Sequence, residues 1–572
     1  MTPIAWTLTG ESGLVESVSS WDPFALPEVE KLDAVLRKLY DRRAVIALPP
    51  LSPAAFDEIL VINNAAESIF LGLREAERFG DLTRLEHRRR AFYASPDDDR
   101  TFEQLLVAAR FEEPRERARR ELARQLRGKQ SVDDHCASAQ IDELLAVASR
   151  LRTDQRSLVD RLTVVSTDTS PSDVYRSLIA TIQSNETRRK LGKAWTDVAG
   201  RHYARLADSL LAAKDSKPEA GASPGYRETA TMLRDFLRLA RCDAEDHLRD
   251  LAGQDGGRPD TGDAVHIDLP HLVHTKLAAR PPAAYGVADV LRFVSFIVEQ
   301  LFGMTIVFAP LSHGVFSCRI ESDGLHVATA YVDLNDRASK PYRASYTQPI
   351  RNTVATRKWA VSAYSYISCR ALSAEQGKTV SFQSIISLLH ELGHAIQHAL
   401  PKHPLPNLSG LEGATSGRSE SFSLWLEKGA FVLDGLAEQN GIASLGRERM
   451  MNAATQRLTA FSRGAYALIE FAFDYGSRED LADVLGGLES SRSGYVQLEV
   501  VEAMGELADR LRHRRPGDNF RYIQAGVEST SAITVSTSDL RAGGRILSLR
   551  PWQPGHDVLG HPAEYFRFYR MY

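Results

Sequence analysis

The stretch from Ser381 to Leu400 reads SFQSIISLLHELGHAIQHAL, and its apolar residues recur at helical spacing. Ile385, Leu388, Leu389, Leu392, Ile396 and Ala399 fall on one broad stripe, which predicts a mostly buried helix over 382–400. On that helix His390 and His394 are four residues apart, hence about 40° apart around the axis and one turn up. Two imidazoles so placed can aim at one metal ion. Glu391 lies about 100° round from His390, where a carboxylate can reach a water at the metal without being a ligand. The pattern is H-E-x-x-H, which supplies two zinc ligands and a general base. With 16 histidines in 572 residues, composition alone gives roughly 0.03 such matches per chain, so the motif is specific. Buried without a metal, these groups would be left in need of polar partners.

A zinc site needs a third protein ligand. Gln397 and Leu400 stand where a metzincin would carry Gly and His. His398 continues the four-residue series, but eight residues of helix put it ~12 Å from His390, too far to share one ion. Downstream, GLEGATSGRSESFSLWLEKGAF offers Glu412, Glu420 and Glu427. A helix starting near Ser419 would bring Glu420 and Glu427 onto one face, two turns apart, while Glu412 lies in a Gly-rich loop.

Working outward, TIVFAPL, GVFSCRI and HVATAYVDL are β-branched runs separated by Ser-His-Gly and Ser-Asp-Gly turns. They predict a small antiparallel sheet over 305–334. Before it, Ala65–Phe79, Arg110–Gly128, Ile141–Arg152 and Asp173–Ile182 show the spacing of amphipathic helices. The Arg-rich run near 110–129 is interleaved with Glu112, Glu113, Glu116 and Glu121, so it reads as a solvated helix face. Loops are expected at 212–225 and 252–263. The expected organisation is an N-terminal helical lobe, 1–262, and a zinc-binding region, 263–572.

Seventy basic against seventy-four acidic residues give a net charge of -4, which argues against a dedicated nucleic-acid or polybasic membrane binder. The start has no basic-then-apolar leader, and the apolar stretch 290–311 is broken by Arg292, Glu299 and Gln300. Cys136, Cys242, Cys318 and Cys369 form no C-x-x-C pair, so a reducing, cytoplasmic setting is expected.

HELGHAIQH, with Glu420 26 residues after His394 and Glu427 seven later, resembles the thimet oligopeptidase group of zinc peptidases. YVDLNDRASK, with Asp333, Arg337 and Lys340, is similar to that group's D-L-x-x-R-x-x-K hairpin. GHDVLGHPAEYFRFY (555–569) is similar to its G-H-x-x-G-G-Y-D-A-x-Y-Y-x-Y segment. The resemblance covers about 180–572 and is strongest from 300 onward. It implies a mainly helical gluzincin in which two helical lobes flank a deep channel. One Zn²⁺ per chain would be held by His390, His394 and Glu420, with Glu391 as base and His556, His561 and Tyr565 facing the substrate. Asp333, Arg337 and Lys340 are expected simply to pair with each other at the surface. The implied partner is a short peptide or peptide-like substrate, with no nucleic acid and no membrane, acting on a monomer or weak homodimer.

The chain also departs from the group. Two expected tyrosines fall at His561 and Phe568, Gly417 replaces an Asp before the zinc glutamate, and the sequence stops at Tyr572 where relatives continue. Phe568 has no hydroxyl to donate, and one lost oxyanion donor costs ~10²–10³ in rate. Two alternatives to a peptidase follow: a zinc hydrolase recruited to another amide in a biosynthetic pathway, or a zinc-bearing peptide binder that has lost turnover.

Overall fold

The five-stranded sheet and the helix that carries His390 and His394 share one apolar core, and most of the other described residues are helical. The computed structural model describes residues 22–47, 51–94, 103–130, 138–161, 171–216, 226–253, 264–277, 284–337, 340, 345–355, 360–372, 379–400, 405–406, 409–411, 420, 422–427, 445–489, 494–512, 519–521 and 523–527. Among them the helices are α1 (Val29–Ile46), α2 (Pro53–Glu75), α3 (Phe79–Ala94), α4 (Glu113–Gln130) and α5 (Ser138–Asp160), followed by α6 (Pro171–Thr181), α7 (Asn185–Asp215), α8 (Tyr226–Gly253) and α9 (Ala264–Leu272). After these come α10 (Val287–Phe302), α11 (Phe382–Ala399), α12 (Leu445–Tyr475), α13 (Arg478–Glu489) and α14 (Gly494–Arg512). No helix among the described residues is long and apolar enough to cross a membrane. The apolar stretch 290–311 instead divides at Gly303, whose φ of 63° caps α10 and turns the chain into a strand.

That strand opens a five-stranded sheet. β1 (Ala284–Gly286) and β9 (Thr379–Ser381) pair with each other; the main sheet contains β2 (Met304–Ser312), β3 (Val315–Ser322), β4 (Leu325–Asn335), β5 (Tyr346–Arg351) and β8 (Ala363–Leu372). Two-residue strands β6 (Val354–Ala355) and β7 (Ala360–Val361) form a separate hairpin. The order of the main sheet is β2-β3-β4-β8-β5. β2, β3 and β4 are antiparallel and joined at the turns read from the sequence, with Gly314, Asp323 and Gly324 all at positive φ. β8 then adds parallel to β4, and β5 antiparallel to β8, so the sheet is wider than 305–334 and has one parallel pair.

Strand alternation divides the sheet into two unlike faces. Ala328, Ala330, Val332 and Leu334 of β4, with Ala363, Ile367 and Cys369 of β8, pack against α10 and α11. Tyr331 and Tyr366 point the other way, into a cluster with Ile350, Phe24 and Leu71. There the sheet meets α2: Tyr346 donates to Glu75 at 2.7 Å, and Arg74 donates to Gln348 at 2.6 Å.

α11 starts where Ser381 accepts a hydrogen bond from the Ser384 N–H at 3.1 Å, satisfying an otherwise orphan donor of the first turn. Ile385, Leu388, Leu389, Leu392 and Ile396 are buried, each stabilising the fold by about 1.5–3 kcal/mol. The helical residues 420 and 422–427 lie against this helix, with Trp425 and Leu426 in the same core and Phe422 and Trp425 against Phe302. Their approach is close: a Cβ on Gly393 would sit 2.6 Å from the Ser423 Cα. Glycine at 393 is what lets the two backbones meet there.

The largest core joins α5–α9 to α12–α14. It therefore crosses the boundary read at residue 262, uniting helices from both sides of the sheet region. Of the expected loops, 217–225 and 254–263 lie outside the described residues, and α7 and α8 extend to Asp215 and Gly253.

Candidate metal centre

Two imidazoles from α11 and one carboxylate from the 420–427 helix converge. His390 Nε2 and His394 Nε2 are 3.2 Å apart, and Glu420 Oε2 lies 3.4 Å from the first and 3.6 Å from the second. Tetrahedral zinc with ligands at ~2.0–2.1 Å requires its donor atoms to be about 3.3–3.4 Å apart. The three atoms thus form one face of such a tetrahedron. Glu420 Oε2 is buried, and the groups that face it are the two imidazoles with which it would share a cation. Among the described residues these three side chains form a group able to hold a metal ion. Their donor set, two imidazoles and a carboxylate, suits zinc.

The electrostatics favour a cation at this point. Burial works against a charged His390, but hydrogen bonds to Glu420 and Glu427 outweigh it and push its pKa up to about 10. Burial likewise opposes ionisation of Glu420, and the two histidines hold it below the usual carboxylate range. The cage therefore keeps a positive charge even without a metal, as a proton on His390. A metal ion must displace that proton.

Glu427 has a different role from Glu420. Its Oε2 accepts from His390 Nδ1–H at 3.1 Å, which fixes the ring and turns Nε2 towards the shared point. The helix carries both carboxylates, with Ser423 Oγ donating to the Glu420 carbonyl at 2.9 Å. Ser423 is also the residue against Gly393, so a small side chain there brings the carboxylates within reach of α11.

Glu391 is buried next to the site, and burial pushes its carboxyl above the usual range, partly offset by His390 and by a hydrogen bond from Thr347. A carboxylate so raised is better matched to taking up a proton near neutral pH. Thr347, on β5, was not read as a site residue; its hydroxyl lies 2.8 Å from Glu391 Oε2.

His398 is a structural residue. Its Nε2–H donates to the Arg351 carbonyl at 2.9 Å, and its Nδ1 accepts from the Leu411 N–H at 3.4 Å. Burial pushes its pKa down to about 4, so the ring is neutral and serves as one donor and one acceptor. His271 is buried too, its Nδ1 3.0 Å from the Ala180 carbonyl oxygen.

Neither a family model nor a curated protein matches this chain. The site rests on its own geometry.

Asp333, Arg337 and Lys340 do pair, but Asp333 and Lys340 are in the interior rather than at the surface. Arg337 meets Asp333 at 2.6 Å, while Lys340 donates to the carbonyls of Asp333 and Cys369 at 2.9 and 3.0 Å. Tyr366 donates to Asp333 at 2.6 Å, and Arg337 reaches on to Glu77 beyond α2. A carboxylate on the inner strands needs these partners, because burying it alone would cost several kcal/mol (roughly). Glu412, Gly417, His556, His561, Tyr565, Phe568 and Tyr569 lie outside the described residues.

Proposed function

We propose that this chain is a zinc-dependent metallopeptidase of the gluzincin arrangement, hydrolysing short peptides. The observation that carries the proposal is the triangle of His390 Nε2, His394 Nε2 and Glu420 Oε2, with sides of 3.2, 3.4 and 3.6 Å, beside a buried Glu391. His390, His394 and Glu420 would hold the ion, and Glu427 would orient His390. Zinc bound there would supply a Lewis acid that polarises a carbonyl and lowers the pKa of a water to about 7. Glu391 takes the proton of the attacking water and passes it to the leaving amine. By the resemblance, His556 and Tyr565 would donate to the developing oxyanion, with His561 beside them.

The test is direct. Purified protein should carry about one zinc per chain and cut a library of short peptides, with cutting stopped by a chelator. Glu391→Gln should lower turnover by about 10²–10⁴-fold while zinc stays bound. Cutting at the wild-type rate by Glu391→Gln would overturn the assigned base. Stoichiometric zinc with no peptide cut would favour the recruited amide hydrolase, a reading that the missing hydroxyl of Phe568 also supports.

A further inference from the structure

The residue beside Glu391 that no motif marks is Thr347. It sits on β5, the edge strand next to α11, in register with the fully buried Ile367 of β8. Its Oγ1 is 2.8 Å from the Glu391 carbonyl oxygen and 2.8 Å from Glu391 Oε2. We propose that Thr347 is a positioning residue that holds the Glu391 carboxylate in its working orientation, an inference that rests on the peptidase reading.

A hydroxyl has one hydrogen and can donate to only one of these oxygens at a time. Both belong to Glu391, so when the hydroxyl donates to Oε2 it holds the end of the side chain against β5. A threonine that merely satisfied a helix carbonyl would have no need to reach the carboxylate. Among the described residues no other hydrogen-bond donor reaches that carboxylate.

The tether is stiff at its own end. Threonine is restricted at χ1, and β5 is hydrogen-bonded to β8, whose inward residues are in the core that α11 shares. The strand thus acts as a fixed reference for the base. With Oε2 engaged, the other carboxylate oxygen would be the one to take up a proton. A carboxylate misplaced by ~1 Å can lose about 10²-fold in rate, so the cost of removing this tether is large enough to measure.

The experiment compares Thr347→Val, which keeps the shape and removes the hydroxyl, with Thr347→Ser, which keeps the hydroxyl. Thr347→Val should lower kcat by about 10- to 100-fold with KM and zinc content unchanged, and Thr347→Ser should restore most of the loss. Should the valine variant not fold, Thr347→Ala against Thr347→Ser makes the same comparison between two small side chains. A second readout is independent of turnover: in a crystal structure of the hydroxyl-less variant, the Glu391 carboxylate should move from the place beside residue 347 that it takes here. An unchanged kcat in the valine or alanine variant, with Glu391→Gln inactive, would overturn this inference and leave the peptidase reading standing. Full activity in Glu391→Gln would overturn the peptidase reading instead. In a chain that cuts no peptide, an undisturbed Glu391 rotamer without the hydroxyl would by itself overturn the positioning role.

Discussion

Helix α11 carries three histidines at four-residue intervals, and its two ends use them in opposite ways. At His390 and His394 the ring nitrogens face each other and a carboxylate, with Glu427 behind, so that positive charge is favoured and the His390 pKa is driven up to about 10. One turn on, His398 is enclosed between a carbonyl and an amide with no carboxylate against it among the described residues, and burial drives its pKa down to about 4. The residue type and the helix are alike, although His390 is partly exposed where His398 is fully buried. The difference lies in what faces each ring: acids from the 420–427 helix at one end, peptide groups around Arg351 and Leu411 at the other.

Alanine scanning along the helix should break the comparison most visibly. His394→Ala should abolish stoichiometric zinc binding, because two remaining ligands cannot hold the ion as three do. His398→Ala should retain zinc yet cost about 3–5 kcal/mol of stability, from the cavity and the stranded Arg351 carbonyl and Leu411 amide. Metal analysis and denaturant unfolding of the metal-free forms measure the two effects. Zinc lost from His398→Ala without loss of stability would erase the contrast.

The two ends should also respond to pH with opposite sign. For His398 the folded pKa of about 4 lies below the ordinary 6.5, so its contribution is complete above 6.5. It should be lost as pH falls towards 4, to the extent of about 3 kcal/mol. For His390 in the metal-free chain the folded pKa of about 10 lies above 6.5, so its contribution is complete below 6.5 and lost as pH rises through 10. Zinc binding near neutral pH should accordingly release a proton and tighten about tenfold per pH unit. Calorimetric titration in buffers of different ionisation enthalpy counts that proton; a count of zero would remove the charged His390 from the account.

The smallest expected effect separates Glu427 from Glu420. Glu427→Gln should weaken zinc binding by only about 10–100-fold, because it loosens a ligand's partner rather than removing a ligand. A complete loss of zinc, measured by competition with a chromogenic chelator, would make Glu427 a ligand in its own right.

Much of α11 was legible beforehand, since the helical spacing of apolar residues is a local property. The helix expected over 382–400 spans Phe382–Ala399. The hairpins from 305 to 334 were equally plain from β-branched runs and their glycine turns. β5 was not: YTQPIR mixes polar residues with a proline, as suits an edge strand, and nothing local marks its Thr347 as a neighbour of Glu391. The buried state of Asp333 and Lys340 was missed for a similar reason. Charged residues in a polar run read as surface until the carbonyls and tyrosine that receive them are in place.

The sequence by itself determined that two imidazoles share a helix face, that a glutamate stands between them, and that two more carboxylates lie seven residues apart downstream. Helical periodicity encodes such relations over a few turns. The resemblance picked out Glu420 as ligand; that Glu427 backs His390, that His398 meets a carbonyl and an amide, and that Thr347 reaches Glu391 were decided by the tertiary structure. Each depends on residues tens of positions apart, brought together because Gly393 and Ser423 let two helices touch and because β5 closes the sheet beside them.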